Sequence, residues 1–465
     1  MISIGHIVGM VITLLLIFGV SWYSGRGVKD AKDFDSAGGR AGHWIVTGAL
    51  LGTLVGGSST VGTAQLAYTY GMSAWWFTLG GGIACLILAV FFAVPLRKHK
   101  DQKTLVGIIS NEYGRKVGMA ASLLSSIGTF INILSQLIAA TAVIMIVFPD
   151  MSTPVSLAIA AVLMIIYVIF GGVLGAGMVG IVKTVLLFTA IVIGSLIVLK
   201  DNGFSVLYNT LDHKQYFNVF ARGIGTDGGA GLSLILGVLS TQSYAQALLA
   251  GKNDREAVKG ALLSAFIIPF IGVGGILIGE YMRVNAPELA SAKMAFPQFI
   301  LDHMSSVPAG IVLATLLITV LGTGSGLSLG ISTVVSNDII KRITRKFDDP
   351  EKSLILSRML IVIIMAAASI LCMCPIGDTI LNFAFMSMGL RGAVIFAPLC
   401  GALWLHGRIG SRWIMASVII SPLVVLVFGL LDVLPFDPLF LGVGISVLLC
   451  FMGLISGKGG QEGNS

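Results

Sequence analysis

Gly48–Trp76 reads GALLGTLVGGSSTVGTAQLAYTYGMSAWW. The stretch is apolar and longer than the roughly 20 residues a helix needs to cross a bilayer, yet its middle holds Gly56, Gly57, Ser58, Ser59 and Thr60. Glycine lowers helix stability, and in hydrocarbon a freed amide or carbonyl must be met inside the protein or by a watery cavity. One reading is a broken helix whose loosened carbonyls and half-helix ends face a small solute or a cation at mid-membrane. The other is a glycine-mediated contact between two intact helices.

Composition sets the class. The chain is 56% hydrophobic and 11% charged, with a mean hydropathy of +0.96, against roughly 25% charged residues in a soluble domain. This is the composition of a polytopic, all-α membrane protein. The net charge of +7 does not point to nucleic acid, because the basic residues are scattered through short loops rather than gathered in a patch. Cys85, Cys372, Cys374, Cys400 and Cys450 fall within or beside apolar runs and form no metal-ligand set. Acidic residues and histidines are scarce in the spans and form no catalytic cluster, so the sequence is not read as an enzyme.

Apolar segments place helices at about 2–22, 43–71, 73–95, 115–148, 153–174, 176–200, 228–250, 257–284, 306–340, 352–374, 376–405, 411–431 and 437–457. The first is followed, not preceded, by Arg26, Lys29, Lys32 and Arg40, which marks a retained helix with its amino terminus outside rather than a cleaved signal. Alternate loops then carry Arg97 to Lys116, Lys252/Arg255/Lys259, Lys341 to Lys352 and Arg408/Arg412, while Phe148–Thr153, Pro375–Thr379 and Leu431–Pro438 carry no lysine or arginine. This alternation predicts a multi-pass plasma-membrane protein with its carboxyl terminus in the cytoplasm. A second interruption is expected where Gly228-Gly229-Ala230-Gly231 is followed by Gly237 and the polar run Ser240–Gln246. It lies five spans after the first, the spacing of two inverted five-helix halves with a site between them.

The residues quoted so far, with several others, resemble the sodium/solute symporters that carry proline, pantothenate, sialic acid or galactose. Arg26-Gly-Val-Lys-Asp-Ala-Lys-Asp-Phe34 is similar to that family's charged lead-in, and the step from Gly62 to Gly71 to its glycine spacing. Lys103–Val106 with Asn111–Gly114, and Ser332-Thr333 with Asn337-Asp338-Ile339, resemble its loop before the third core helix and the end of its eighth. The resemblance implies a leucine-transporter-like fold of about 13 helices. Residues 1–42 would be an extra helix and cytoplasmic lead-in, 43–200 and 201–405 the two inverted repeats, and 406–465 two further helices with a short cytoplasmic tail.

Carried over by position, the resemblance implies a sodium site at Gly52 and Val55 in the broken helix and at Thr319, Gly322 and Thr323 in the eighth core helix. Carbonyls and hydroxyls suit sodium, a hard cation. Gly322 stands where a serine is expected, with Ser325 the nearer of two substitutes. In the fifth core helix Gly171-Gly172 resembles the family's opening, but the usual Asp and Gln are here Gly180 and Lys183. A lysine in an apolar span is a functional candidate. Either Lys183 snorkels to the inner surface, or its ammonium stands at the sodium position and carries a proton.

Arg391, midway along the tenth core helix, needs a partner: either a solute carboxylate in bidentate contact, or Asp378 and freed carbonyls. Solute contacts are expected from Ser58, Ser59, Thr60, Asn132, Gln136, Gln242, Tyr244 and Arg391; Asn and Gln in membrane helices also serve as interhelical contacts. No cofactor is expected beyond a bound sodium ion, and the expected partners are a small solute, a coupling cation and the bilayer. The function read from the sequence is cation-coupled symport of a small polar or anionic organic solute by alternating access, sodium favoured. The alternatives are proton-coupled or uncoupled transport with Lys183 replacing sodium, and a transporter-like membrane sensor, for which Gly457–Ser465 is too short an output domain. A channel would show a repeated pore motif, and none is seen.

Overall fold

A computed structural model of the chain describes residues 2–25, 41–99, 104–201, 203–340, 344, 350–374, 379–431 and 433–456. The lead-in Arg26–Phe34 and Asp378 lie outside the described residues, as do the side chains of Gly171, Gly172, Asn337 and Asp338. The architecture is helical. The principal helices are α1 (Ile4–Gly25), α2 (His43–Leu54), α3 (Thr63–Tyr70), α4 (Trp76–Ile87), α5 (Leu105–Tyr113), α6 (Arg115–Val147) and α7 (Thr153–Asp201). They continue with α8 (Ile224–Leu239), α9 (Gln242–Leu249), α10 (Asp254–Asn285), α11 (Ser306–Val334), α12 (Pro350–Met373), α13 (Ile380–Trp404), α14 (Ser411–Leu431) and α15 (Leu439–Ile455). Among the described residues, 8 helices are long and apolar enough to cross a membrane, or 9 with the bent pair α8/α9 counted as one; four more apolar helices are shorter.

Thr153–Asp201 is helical over 49 residues; within it Gly180–Asp201 is long and apolar enough to cross a membrane, and Thr153–Tyr167 is a shorter apolar stretch. The Gly228–Gly231 run does not interrupt its helix. It lies inside α8, and these glycines serve close packing: a Cβ at Gly231 would stand 2.4 Å from the Trp76 ring, and one at Gly229 would stand 2.1 Å from Asp437 Cβ. The break falls at Ser240–Thr241, in the expected polar run, where α8 bends by 48° into α9.

The first break forms where the sequence places it. Val55 leaves helical geometry at φ −84°, ψ 91°, and the chain resumes through a π turn over Ser58–Gly62. The freed backbone of Gly56 is met by local hydroxyls. Its N–H donates to Ser59 Oγ at 2.9 Å, and its carbonyl accepts from Ser59 at 3.0 Å and Thr60 at 2.8 Å. Satisfying these groups within the protein is what permits non-helical backbone at membrane depth.

Helices α2, α3, α4, α8 and α10 pack on one another, and α6, α7, α11 and α12 form a second group; α13 lies between, against α6 and α8. Helix α1 packs on α11 through small residues, a Cβ at Gly9 being 2.2 Å from the Val307 carbonyl oxygen. Its other face, with Ile4, Val8 and Leu15, is exposed, as a lipid-facing surface is.

The ends of the two broken helices that lie away from their breaks are stitched together. Ala41, just before α2, pairs with the end of α9 through Ala41 N–H to Ala250 O (3.0 Å) and Lys252 N–H to Ala41 O (2.9 Å). His43 N–H donates to Glu256 Oε2 at 2.7 Å. Arg97 donates to the carbonyl oxygens of Leu248 (3.0 Å) and Gly251 (2.6 Å) and to Asp254 Oδ1 (2.6 Å). Orphan carbonyls at the α9 end thus gain a charged donor.

At the opposite end of α8, fully buried Asp227 accepts from Ser73 Oγ (2.6 Å) and Arg222 Nε (2.8 Å). Asp437 lies beside this cluster and accepts the Leu439 N–H at 2.9 Å. Burial raises the Asp437 carboxyl above its usual range, opposed by that N–H and by Arg222. A raised folded-state value stabilises the fold only at pH below the ordinary value of roughly 3.9 and is lost as pH rises through the folded one. Asp437→Asn, which keeps an acceptor for Leu439, is therefore expected to raise the thermal midpoint at neutral pH. That advantage should shrink as pH falls toward 4 in a melting series from pH 4 to 8.

Candidate functional site

The two breaks face one another across α6 and α13 and enclose a cavity of about 30 Å³. Among the expected solute contacts, Ser58, Asn132, Gln136, Tyr244 and Arg391 line it, and so does Thr323 from the expected cation set. Gln136 organises one wall. Its Oε1 accepts the Gly57 N–H at 3.3 Å, and its Nε2 donates to Ser58 Oγ at 3.3 Å and Asn132 Oδ1 at 3.5 Å. Ser58 Oγ is also 2.8 Å from Ser135 Oγ. Gly57 allows this approach: a Cβ there would stand 2.7 Å from Ala139 Cβ. Tyr244 is buried and lines the cavity from α9.

Three expected contacts lie elsewhere. Ser59 and Thr60 spend their hydroxyls on Gly56, as described above. Gln242 turns toward α5, its Oε1 accepting the Leu105 N–H at 2.8 Å.

Arg391 is the charged group of the cavity and is 3% exposed. Its guanidinium donates to Ser387 O (3.3 Å), Thr241 Oγ1 (2.8 Å), Ser387 Oγ (3.0 Å) and Met388 Sδ (3.1 Å). Every one of these acceptors is neutral. A buried cation held only by neutral groups is one desolvated charge short of a pair.

Of the expected cation set, Thr323 lines this cavity, and Val55 stands between the lining residues Leu54 and Gly56. Gly52 abuts α7, where a Cβ would stand 3.3 Å from Gly180 Cα. Val55, at the end of α2, has a carbonyl freed from the helix ladder. Across from them Thr323 Oγ1 lies 3.3 Å from where a Cβ on Gly56 would be, and it donates to Thr319 O at 2.9 Å. Thr319 is fully buried, and its Oγ1 has no partner among the described residues. An orphaned buried oxygen, a freed carbonyl and a second hydroxyl are the kinds of donor that suit a hard monovalent cation. Ser325, the nearer substitute for the serine missing at Gly322, donates its hydroxyl to Met164 O at 2.8 Å. The group that faces Gly322 is Tyr167, whose OH would be 3.4 Å from a Cβ there.

Lys183 follows Gly180 by three residues, so it lies within about 60° of the face that meets Gly52. It is 6% exposed and makes no hydrogen bond or ion pair with a described residue. Sequence reasoning missed Tyr167, Thr241 and Met388. Thr241 sits within the polar run Ser240–Gln246 and Met388 lies three residues before Arg391, whereas the approach of Tyr167 to Gly322 is a long-range contact with no local signal. It also passed over Glu280 on α10, a carboxyl 1% exposed whose Oε1 has no partner among the described residues.

Residues 34–420 match the family model for the sodium:solute symporter family. An uncharacterised symporter of Bacillus subtilis (strain 168), YwcA, is 26% identical over 356 residues, which is 72% of this chain and 68% of that protein. Among solved structures, a Na+-coupled sialic acid symporter in a substrate-bound outward-open state superposes with a TM-score of 0.76. It is 18% identical, over 98% of this chain and 97% of that one. Mhp1, a nucleobase-cation-symport-1 family transporter in a closed conformation with bromovinylhydantoin bound, gives a TM-score of 0.57 at 10% identity over 92% and 96% of the two chains. The helical arrangement is thus the leucine-transporter-like one, and with the match covering most of its length the chain belongs to the sodium:solute symporter family.

Proposed function

We propose that this symporter carries a small organic anion together with sodium, with Arg391 binding the solute's carboxylate. The observation that carries the reading is Arg391 itself: 3% exposed, on the cavity wall, and held by four neutral contacts. A carboxylate would supply the missing charge in a bidentate geometry that guanidinium favours. Ser58, Asn132, Gln136 and Tyr244 would serve the polar remainder of the solute. The cavity, at about 30 Å³, has room for about two waters at roughly 10–15 Å³ each. An organic solute therefore requires the helices around it to part, as alternating access supplies.

In support of two inverted repeats over 43–200 and 201–405, each opens with a broken helix, α2/α3 and α8/α9. The scattered basic loops support an external amino terminus and a cytoplasmic carboxyl terminus. Sodium coupling is supported by the donor set of Val55, Thr319 and Thr323. A second reading has Lys183 in place of the ion, with proton coupling; the unpaired ammonium beside Gly180 and the absent hydroxyl at Gly322 favour it.

The test is uptake of labelled propionate, pyruvate and lactate into proteoliposomes of the full chain, with propionamide as the neutral control. Accumulation of a carboxylate driven by an inward sodium gradient is expected. Uptake of the amide in preference to the acids would overturn the anion reading, and uptake driven by a pH gradient alone would select the second one.

A further inference from the structure

We infer that the Met388 thioether is a placeholder for one carboxylate oxygen of the solute and that its withdrawal sets the carrier's affinity for anions over neutral solutes; this rests on the proposed role of Arg391. A guanidinium has five N–H donors. In Arg391 the Nε donor is fixed to the carbonyl of its own helix at Ser387 (3.3 Å), one Nη1 donor to Thr241 Oγ1 (2.8 Å) and one Nη2 donor to Ser387 Oγ (3.0 Å). The remaining Nη2 donor meets Met388 Sδ at 3.1 Å, and the remaining Nη1 donor has no partner among the described residues.

Thioether sulfur is a weak acceptor. The fork left for a carboxylate is therefore the end-on pair Nη1/Nη2, and one of its two positions is held by sulfur. The oxygen that binds there must displace Sδ.

Met388 is built to yield. Its backbone is pinned, since a Cβ at Gly237 on α8 would stand 2.4 Å from Met388 Cβ. Its side chain is unbranched, with three rotatable bonds that let the sulfur swing away while the Cβ stays. Met388 also lines the cavity, so withdrawal of the sulfur enlarges the space that the solute enters. A neutral solute lacks the charge that favours displacing the sulfur and gains little from it. An anion exchanges a weak neutral contact for a charge-assisted one.

The experiment measures binding of propionate and propionamide to the purified full chain by calorimetry and thermal shift, for the native protein, Met388→Leu, Met388→Gln and Arg391→Gln. Leucine keeps the volume and removes the acceptor, so propionate is expected to bind about 3- to 10-fold more tightly. Glutamine offers the guanidinium a stronger acceptor, so propionate should bind weaker by a similar factor. Propionamide affinity should stay unchanged in both. Shifts of the same sign in the two Met388 variants, or no shift in the one that folds, overturn the placeholder while Arg391→Gln still loses propionate. Binding of propionate by Arg391→Gln as in the native protein, or no binding by any of the chains, overturns the Arg391 reading and the placeholder with it.

Discussion

Arg391→Gln is expected to lower carboxylate uptake at subsaturating solute by about 100-fold or more while leaving the protein as stable as before, or more so. Losing one partner of a buried charged pair costs about 2–5 kcal/mol, which is roughly 30- to 4,000-fold in affinity at 1.4 kcal/mol per tenfold. The direction on stability is the distinguishing part. An arginine that held the fold through a buried carboxylate would leave an uncompensated charge when removed, and the protein would melt earlier. Here the groups around Arg391 are Thr241, Ser387 and Met388, all neutral. Removing the cation therefore removes a desolvation penalty and strands no anion among the described residues. Arg391→Lys should be nearly as damaging to uptake, because a single ammonium cannot reproduce the planar fork. Initial uptake rates and melting curves on the same preparations check this. A loss of several degrees in melting temperature with uptake retained would assign Arg391 to structure.

Much of this frame is legible in the sequence, and the reason is that backbone problems leave local marks. A helix broken in hydrocarbon needs flexible residues and nearby hydroxyls, so Gly56 and Gly57 followed by Ser59 and Thr60 announce both the break and its repair. Sequence does not tell whether such a hydroxyl turns to its own backbone, as those of Ser59 and Thr60 do here, or to a cavity. The second break illustrates the converse. Gly228–Gly231 looks like an interruption, yet these glycines make room for Trp76 and Asp437 inside an intact helix, and the bend occurs at Ser240–Thr241, among the polar residues. Side-chain destinations that depend on distant helices are not legible. Gln242 reaches Leu105, Ser325 reaches Met164, and Tyr167 fills the space beside Gly322. Charge anomalies are legible in themselves, since a lysine or arginine inside an apolar span stands out whatever surrounds it; Arg391 lines the cavity, and Lys183 lies on the helix that abuts Gly52.

Sodium is expected to raise the melting temperature of the native chain at fixed ionic strength, and Lys183→Ala is expected to need about tenfold less sodium for the same rise. The ammonium of Lys183 is buried and has no carboxylate partner among the described residues. Its charge therefore opposes any cation held by Val55, Thr319 and Thr323. Two unit charges about 8 Å apart repel by about 2 kcal/mol at an effective dielectric of about 20, more than enough for a tenfold change in affinity. Because a ligand bound only to the folded state stabilises by mass action, the effect reads out directly as a shift in the half-saturating sodium concentration, with choline chloride holding the ionic strength. The variant should also melt later than the native chain without sodium, since an unpaired buried cation has been removed. The second reading makes a different demand on the native chain alone. With the ammonium in the ion's place, sodium leaves native melting unchanged and stabilises only Lys183→Ala, and solute uptake follows a pH gradient. Thr319→Ala separates the two further: it removes the orphaned hydroxyl, so it weakens the sodium response where sodium is the coupling ion and leaves proton-driven uptake intact where the lysine is.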